Sequence, residues 1–473
     1  MTTYTTYAGR TVSIVGLGRE GLAVARVLAG EGARVLVSDA RDAATLAPQM
    51  AALAGLPVEY SLGGNRPDEV LDCDTLVLSP GVDKRVPLVR EAVRRGIPIT
   101  SEIALFFERC PAPIIGVTGS SGKTTTTTLI GEMLRWGARP VFVGGNIGRP
   151  LLERLGEIAP DARVVLELSS FQLEWLRVSP RIAVVTNLTP NHLDRHETME
   201  AYVAAKSNIL THQDADGLAV LNGDDPLSAG LTEQTRGRVL YFTLVAPSRE
   251  GRTVGAYLDG DDVTLNRGGR PVVLCRVDEI QAPGRHNVAN ALAAAVVADA
   301  CGIAPDDIGA AIRAFTGVPH RLQRVAAVAG VAYYDDSIAT SPERTRAALA
   351  ALDAPVVLIL GGRDKRLPWG DLARDAVRRC RGVALIGEAA GLIRQHIESA
   401  LAEADARGAP LLGRAAIVTE TSMTAAVARA ARLARPGDAV VLSPGCASYD
   451  MYQDYEERGR DFARAVGGLT AHV

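Results

Sequence analysis

Ile114-Ile115-Gly116-Val117-Thr118-Gly119-Ser120-Ser121-Gly122-Lys123-Thr124-Thr125 runs from a short apolar segment straight into a glycine-rich loop that closes on a lysine and hydroxyls. Four to five apolar residues bounded by such a loop read as a buried strand, and the Thr run after Lys123 as the start of a helix. Backbone N–H groups opened by Gly119 and Gly122, the helix start and the Lys123 ammonium all direct positive charge at one point, a cradle for a nucleotide phosphate. The Thr124 hydroxyl stands where it can ligate the Mg²⁺ that accompanies ATP or GTP. The spacing is a variant of the general P-loop, because Val117 holds the place of its first glycine and Gly116 and Gly119 flank it.

Working outward, residues 11–37 read strand, glycine turn, helix, strand. Thr11-Val12-Ser13-Ile14-Val15 leads into Gly16-Leu17-Gly18-Arg19-Glu20-Gly21, and Asp39 follows the second strand. Those glycines permit a tight turn and the carboxylate can grip a ribose or base, so in isolation the segment suggests dinucleotide binding. Further β-α units follow, including Thr75-Leu76-Val77-Leu78 into Ser79-Pro80-Gly81. From 217 to about 280 the texture changes to short alternating runs with Asp-Gly and Gly-Gly turns, which predicts a small antiparallel insertion. Beyond Gly317-Val318-Pro319, strands at 355–360, 383–386 and 439–442 predict another α/β segment. The expected architecture is therefore α/β in three domains. These are a Rossmann-like parallel sheet at 1–101, a central P-loop domain with a small antiparallel β insertion at 102–317, and a Rossmann-like domain at 318–473.

Composition narrows the function classes. Lys plus Arg (51) nearly balances Asp plus Glu (54) without a long run of one sign, so nucleic acid is not an expected partner. No apolar stretch is long enough for a membrane span or signal peptide, and a cytosolic protein is expected. The six cysteines are scattered without a C-x-x-C pair, which suggests neither zinc nor a disulfide framework, and Cys446 reads as a buried thiol rather than a nucleophile.

Two further stretches carry chemistry. Leu166-Glu167-Leu168-Ser169-Ser170-Phe171-Gln172-Leu173 puts Glu167 at the carboxyl end of a predicted strand, where it either holds a metal beside the phosphate loop or is buried against a Lys or Arg. Thr186-Asn187-Leu188-Thr189-Pro190-Asn191-His192-Leu193-Asp194-Arg195-His196 crowds polar side chains just past the next strand. The helix after it carries Lys206, and a helix lysine is ordinarily solvated.

With Gly284-Arg285-His286-Asn287-Val288-Ala289-Asn290, Pro319-His320-Arg321 and Ser443-Pro444-Gly445-Cys446-Ala447-Ser448, these motifs stand in the order found in the Mur ligase family, which the chain resembles across all three domains. The resemblance implies a cytoplasmic, monomeric ATP-dependent ligase of peptidoglycan precursor synthesis. ATP would phosphorylate the carboxylate of UDP-N-acetylmuramoyl-L-alanine, and the amine of glutamate, in the D configuration, would attack the acyl phosphate. It implies two Mg²⁺ ions and a CO₂-derived carbamate on Lys206, with Thr124, Glu167, His192 and carbamylated Lys206 as ligands, and with Lys123, Glu167, His192 and Lys206 catalytic.

ATP would be held by Gly119, Ser120, Ser121, Gly122, Lys123, Thr124, Thr125, Asn290, Arg321 and Asp336. The UDP-substrate would lie on Gly18, Arg19, Asp39, Gly81 and Asn146, and the amino acid on Thr340, Lys365, Ser448 and Tyr455. Where many members of the family read Asn-Asp-Ser-Lys-Ala-Thr-Asn, this chain reads Asp335-Asp336-Ser337-Ile338-Ala339-Thr340-Ser341. A cation near the amino-acid pocket is thus isoleucine, and Arg363, in the loop of Lys365, is the expected substitute. Rival readings are a ligase of this architecture adding L-glutamate or another amino acid, an NAD-binding oxidoreductase, and a nucleotide-gated interaction protein. The last leaves Glu167, His192 and Lys206 without a purpose.

Overall fold

The computed structural model describes residues 6–246, 253–282, 284–408 and 416–470. Two compact units divide the chain, 1–314 and 315–473. The first holds two sheets. One is built from β1 (Thr11–Val15), β2 (Arg34–Asp39), β3 (Val58–Leu62), β4 (Thr75–Leu78) and β5 (Ile99–Thr100), all parallel in the order 3-2-1-4-5. β4 is buried at every position, as expected of a parallel strand covered on both faces. Strand order reverses beside β1, and at such a switch point the carboxyl ends of the strands leave a crevice for a ligand.

The second sheet has nine strands: β6 (Ile114–Thr118), β7 (Val141–Gly145), β8 (Arg163–Glu167), β9 (Ile182–Val185), β10 (Leu218–Asn222), β11 (Arg238–Thr243), β12 (Val254–Asp259), β13 (Asp262–Arg267) and β14 (Arg270–Arg276). Their order is 14-13-12-11-10-9-6-8-7, which puts β6 between β9 and β8, third from the β7 edge. The antiparallel insertion exists, but it starts later than the sequence texture suggests. β10 pairs in parallel with β9 and β11, β11 pairs in parallel with β12, and only β12–β13 and β13–β14 are antiparallel. Rather than forming a separate module, the insertion lengthens one edge of the central sheet, because β10 and β12 are apolar enough to be covered by the helix Arg285–Ala300. Strand residues of both sheets, among them Val12, Val164 and Leu166, join the helix residues Leu28 and Leu152 in one continuous core.

The unit 315–473 is a six-stranded sheet of β15 (Gln323–Val328), β16 (Val331–Asp335), β17 (Val356–Gly361), β18 (Cys380–Ile386), β19 (Ala416–Thr419) and β20 (Ala439–Leu442) in the order 15-16-20-17-18-19. Only β15 is antiparallel to its neighbour. β17 and β20 are buried throughout and separate two apolar layers.

The first glycine turn has a steric reason. Gly16 takes a φ of +96°, and its carbonyl accepts the Ser79 hydroxyl at 2.8 Å, tying the turn to the end of β4. Gly21, in the first turn of the helix Arg19–Gly30, lies so close to that carbonyl that an added Cβ would collide with it. Gly21→Ala is expected to cost roughly 2–4 kcal/mol by forcing the helix off the turn. Gly30→Ala, with nothing near its Cβ position, is the control and should be neutral. Urea unfolding of the two variants checks this, and equal midpoints would refute the packing argument.

Candidate active site

The phosphate loop leaves β6 at Thr118 and enters the helix Lys123–Leu134. Gly119 (φ +148°) and Gly122 (φ +79°) take conformations that an L side chain rarely adopts, and added Cβ atoms there would strike Thr186 Oγ1 and Asn290 Oδ1. The loop is braced from the strand-end segment after β9. Ser120 N–H donates to Asn187 O at 2.8 Å, and the Ser121 amide donates to Asn187 Oδ1 at 3.0 Å. Ser120 Oγ donates to Thr189 O at 2.8 Å and lies 3.0 Å from Tyr202 Oη. Lys123 Nζ folds back onto the carbonyls of Gly119 (2.8 Å) and Ser120 (3.1 Å), which holds the ammonium over the loop. Thr125 is half-buried in the first turn of the same helix. Asn290 is buried and accepts the Thr126 hydroxyl at 3.2 Å, directly behind the loop.

Glu167 ends β8 with 3% of its surface exposed. Thr124 Oγ1 donates to its Oε2 at 2.6 Å, and Asn146 Nδ2 to its Oε1 at 2.8 Å. Among the described residues no Lys or Arg lies at ion-pair distance from it, so the reading of a carboxylate buried against a basic side chain does not hold. A buried carboxylate whose partners are a hydroxyl and an amide suits a hard cation with oxygen ligands, which Thr124 and Glu167 would hold together.

Lys206 is 2% exposed, so the solvated helix lysine is ruled out. Its Nζ donates to Thr118 Oγ1 (3.2 Å) and Gly119 O (2.9 Å) and stands 4.9 Å from the Tyr202 ring centre. Burial, then the nearby Lys123 charge, push its pKa down to about 6 against the opposing pull of Glu167, so at neutral pH the amine is mostly uncharged. His192, at φ +54° and exposed, sits at the start of the short helix Leu193–His196 with its ring 5.1 Å from that of Phe171. Of the expected ligands, Thr124 and Glu167 are brought together by the hydrogen bond between them, and among the described residues no three His, Cys, Asp or Glu side chains form a cluster that could hold a metal ion.

The crevice of the first sheet is a cavity of about 780 Å³ lined by Gly16, Gly18, Arg19, Asp39, Arg41 and Gly81 among others. Burial alone would raise the Asp39 carboxyl. Hydrogen bonds from the Arg41 side chain and from the Arg41 and Leu17 backbone outweigh it and bring the pKa to about 2, so the carboxylate is fixed as an acceptor. Asn146 does not line this cavity; it lies at Glu167, and Arg19 bridges the two places by donating to Gly148 O at 2.7 Å. The opposite rim is tied to the His192 loop. Arg195 donates to Gly81 O and Val82 O, both at 3.3 Å, and stacks 4.7 Å from the Phe171 ring centre. Sequence reasoning gave no role to Arg41 or Tyr202 and no partner to Arg195, since these contacts form only once the fold closes over them.

In the unit 315–473, Asp336 is buried, and burial pushes its carboxyl up to about 7. It accepts from Ser443 Oγ (2.7 Å) and Leu322 N–H (3.1 Å), beside exposed Arg321. Lys365 Nζ donates to Thr340 Oγ1 at 2.9 Å, which joins two expected amino-acid contacts. Ser448 is buried in the loop after β20, and Tyr455 opens the last helix with its ring 6.2 Å from that of His320. Arg363, the expected substitute cation, is instead engaged by both oxygens of Glu388 (3.1 and 3.0 Å). Cys446 is fully buried with its thiol pushed up to about 12, which removes it as a nucleophile at neutral pH.

The buried amine has a measurable cost. The unfolded chain binds the proton that folded Lys206 sheds, so the residue weakens the fold most at and below about pH 6 and least near pH 10. Lys206→Met in ligand-free protein should therefore gain on the order of 2–4 kcal/mol in urea unfolding at pH 7, shrinking towards pH 10. A variant no more stable than the parent at pH 7 would contradict the neutral amine.

The Mur ligase MurD-like N-terminal domain matches residues 10–101, the Mur ligase middle domain 117–298 and the Mur ligase glutamate ligase domain 320–446. The chain is similar to UDP-N-acetylmuramoylalanine–D-glutamate ligases of Symbiobacterium thermophilum (43% identity over 97% of this chain and 98% of that protein) and Pelotomaculum thermopropionicum (41%, 98% of each). Among solved structures it shares its fold with UDP-N-acetylmuramate–alanine ligase of Thermotoga maritima (21% identity, TM-score 0.53, 97% of this chain and 100% of that one). A second is MurF of Acinetobacter baumannii (18%, TM-score 0.53, 91% of each). Matched from end to end by relatives about two-fifths identical to it, the chain belongs to the Mur ligase family.

Proposed function

We propose that this chain joins D-glutamate to UDP-N-acetylmuramoyl-L-alanine at the expense of ATP, as the names of its relatives state for those proteins. It is an ATP-dependent, amide-forming ligase of peptidoglycan synthesis. The observation that carries the reading is buried Glu167 bonded to Thr124 at the mouth of the phosphate loop, with Asn146 beside it and the 780 Å³ cavity behind Arg19.

On this reading the UDP end lies in that cavity, on Gly18, Arg19, Asp39 and Gly81, and the acceptor carboxylate is led past Asn146 towards the phosphate loop. A carboxylate is a poor electrophile until one oxygen is made a leaving group. Phosphoryl transfer from ATP achieves that, the glutamate amine attacks the acyl phosphate, and phosphate departs as the amide forms. Lys123 and the loop N–H groups hold the β- and γ-phosphates, so that charge developing in transfer meets fixed donors. Thr124 and Glu167 would hold a Mg²⁺, and His192 with carbamylated Lys206 would hold a second; bound there, such ions would neutralise charge between the two anions. The uncharged Lys206 amine is in the state that reacts with CO₂, and its carbamate is an anionic oxygen ligand. Asn290, Arg321 and Asp336 serve the adenosine and phosphates, and Thr340, Lys365, Ser448 and Tyr455 the amino acid. The enzyme works as a cytoplasmic monomer, where UDP-sugars and ATP are found.

Phosphate release from ATP, Mg²⁺ and UDP-N-acetylmuramoyl-L-alanine should depend on D-glutamate and be slight with L-glutamate. Lys123→Ala and Glu167→Ala should each lose about two orders of magnitude or more in rate with the fold intact. Removing bicarbonate should slow the parent enzyme, and short carboxylic acids should partly rescue Lys206→Ala. Equal turnover of L-glutamate would overturn the amino-acid assignment, and near-parental rates of Glu167→Ala would overturn the site.

A further inference from the structure

Ile338 leaves the amino-acid end of the site short of a positive charge, and Arg363 is committed to Glu388. A different arginine stands at the same turn. Arg344 lies in the first turn of the helix Pro342–Ala350, and its Nη1 donates to the carbonyl of Ile338 at 3.2 Å. That carbonyl also accepts the Thr340 N–H at 2.9 Å, and the Thr340 hydroxyl accepts Lys365 Nζ at 2.9 Å. Two cations are thus anchored on one three-residue turn, 338–340. Among the described residues neither has a carboxylate at ion-pair distance. Both Arg344 and Lys365 are exposed.

The arrangement is unfavourable when empty. A cation in the first turn of a helix opposes the helix dipole, and the acidic Glu343 of the same turn makes no ion pair with Arg344 to offset it among the described residues. Ser341, at the N-cap, contributes no side-chain hydrogen bond to that turn. Burial first, and the Arg344 charge second, hold the Lys365 ammonium below the ordinary lysine range, as like charges brought together must. An anion between the two heads removes both penalties.

We propose that Arg344 is a specificity-determining residue of this ligase, which together with Lys365 receives a carboxylate of the incoming amino acid from the turn 338–340. The inference rests on the reading of the chain as a glutamate-adding ligase. Arg344 supplies from the following helix the positive charge that Ile338 cannot supply from the turn itself. A guanidinium offers paired N–H donors to a carboxylate, so the substitution is a change of donor geometry as well as of position.

Steady-state kinetics of the full-length protein with ATP, Mg²⁺ and UDP-N-acetylmuramoyl-L-alanine test this. Arg344→Gln, a change on an exposed helix position, should raise the KM for D-glutamate about tenfold or more while leaving kcat and the KM for ATP within about twofold. Arg344→Lys should fall between the two. Adding Ile338→Lys to R344Q should recover part of the lost affinity, because the charge returns to the same turn. A D-glutamate KM for R344Q within twofold of the parent, a parallel rise in the ATP KM, or no recovery with Ile338→Lys would each overturn the role. Absence of D-glutamate turnover in the parent protein would instead count against the ligase reading itself, so the two failures are distinguishable.

Discussion

A carboxylate kept in the protein interior without a cation at ion-pair distance is costly, and the first unit is built around one. Glu167 is held from three directions: by its own strand β8, by the Thr124 hydroxyl at the start of the phosphate-loop helix, and by Asn146 at the end of β7. The backbone is shaped to permit this. Gly145 takes a φ of +91° and lies so close to the Glu167 backbone that a Cβ would strike it, so glycine is required there, and the Asn146 N–H donates to Glu167 O at 2.8 Å. Hydroxyl and amide donors stabilise the anion less than a cation does. On the proposed function, a divalent ion arriving with the nucleotide would complete the charge compensation of this carboxylate.

Distance from the cavity to Glu167 is bridged by side chains rather than by a continuous wall. Arg19 reaches Gly148, two residues beyond Asn146, and Gln172 Nε2 donates to Glu20 at 2.9 Å across the seam between the two sheets. On the other rim Arg195 grips Gly81 and Val82 and lies over Phe171, whose ring stacks on His196 and meets His192 edge-on. The cavity is therefore tied by side chains to both approaches to the phosphate loop. Because transfer between two anions is a matter of alignment and neutralisation, small displacements of these tethers translate into rate.

Most of this was legible in residue order, since the phosphate loop, the strand-end Glu167 and the crowded segment 186–196 announce themselves by local chemistry. What was less legible depended on packing. Lys206 looked solvated, yet it falls on the stripe Tyr202, Ala205, Ile209 and Leu210 that faces the core, a spacing of three and four residues that does mark its burial. Arg363 looked free because Glu388 lies 25 residues away in sequence, and no local pattern signals an ion pair between two loops. The antiparallel edge was placed too early because β10 is short and flanked by turn residues, although its buried face belongs to the parallel sheet.

Asp336, proposed to serve the nucleotide, already has a structural task in the unit 315–473. Its Oδ1 accepts Leu322 N–H and its Oδ2 accepts the Ser443 hydroxyl, so it fixes the backbone that carries Arg321 to the end of β20. A carboxylate has about four lone-pair positions, and two of them are filled here. The rest can accept hydroxyl hydrogens from a ligand without releasing the loop. Burial favours the neutral acid when no such donor is present, while the nearby Arg321 charge favours the anion. Ligand hydroxyls add to the side of the anion, so occupancy of this corner strengthens the hold of Asp336 on Ser443 and on the loop of Arg321 together.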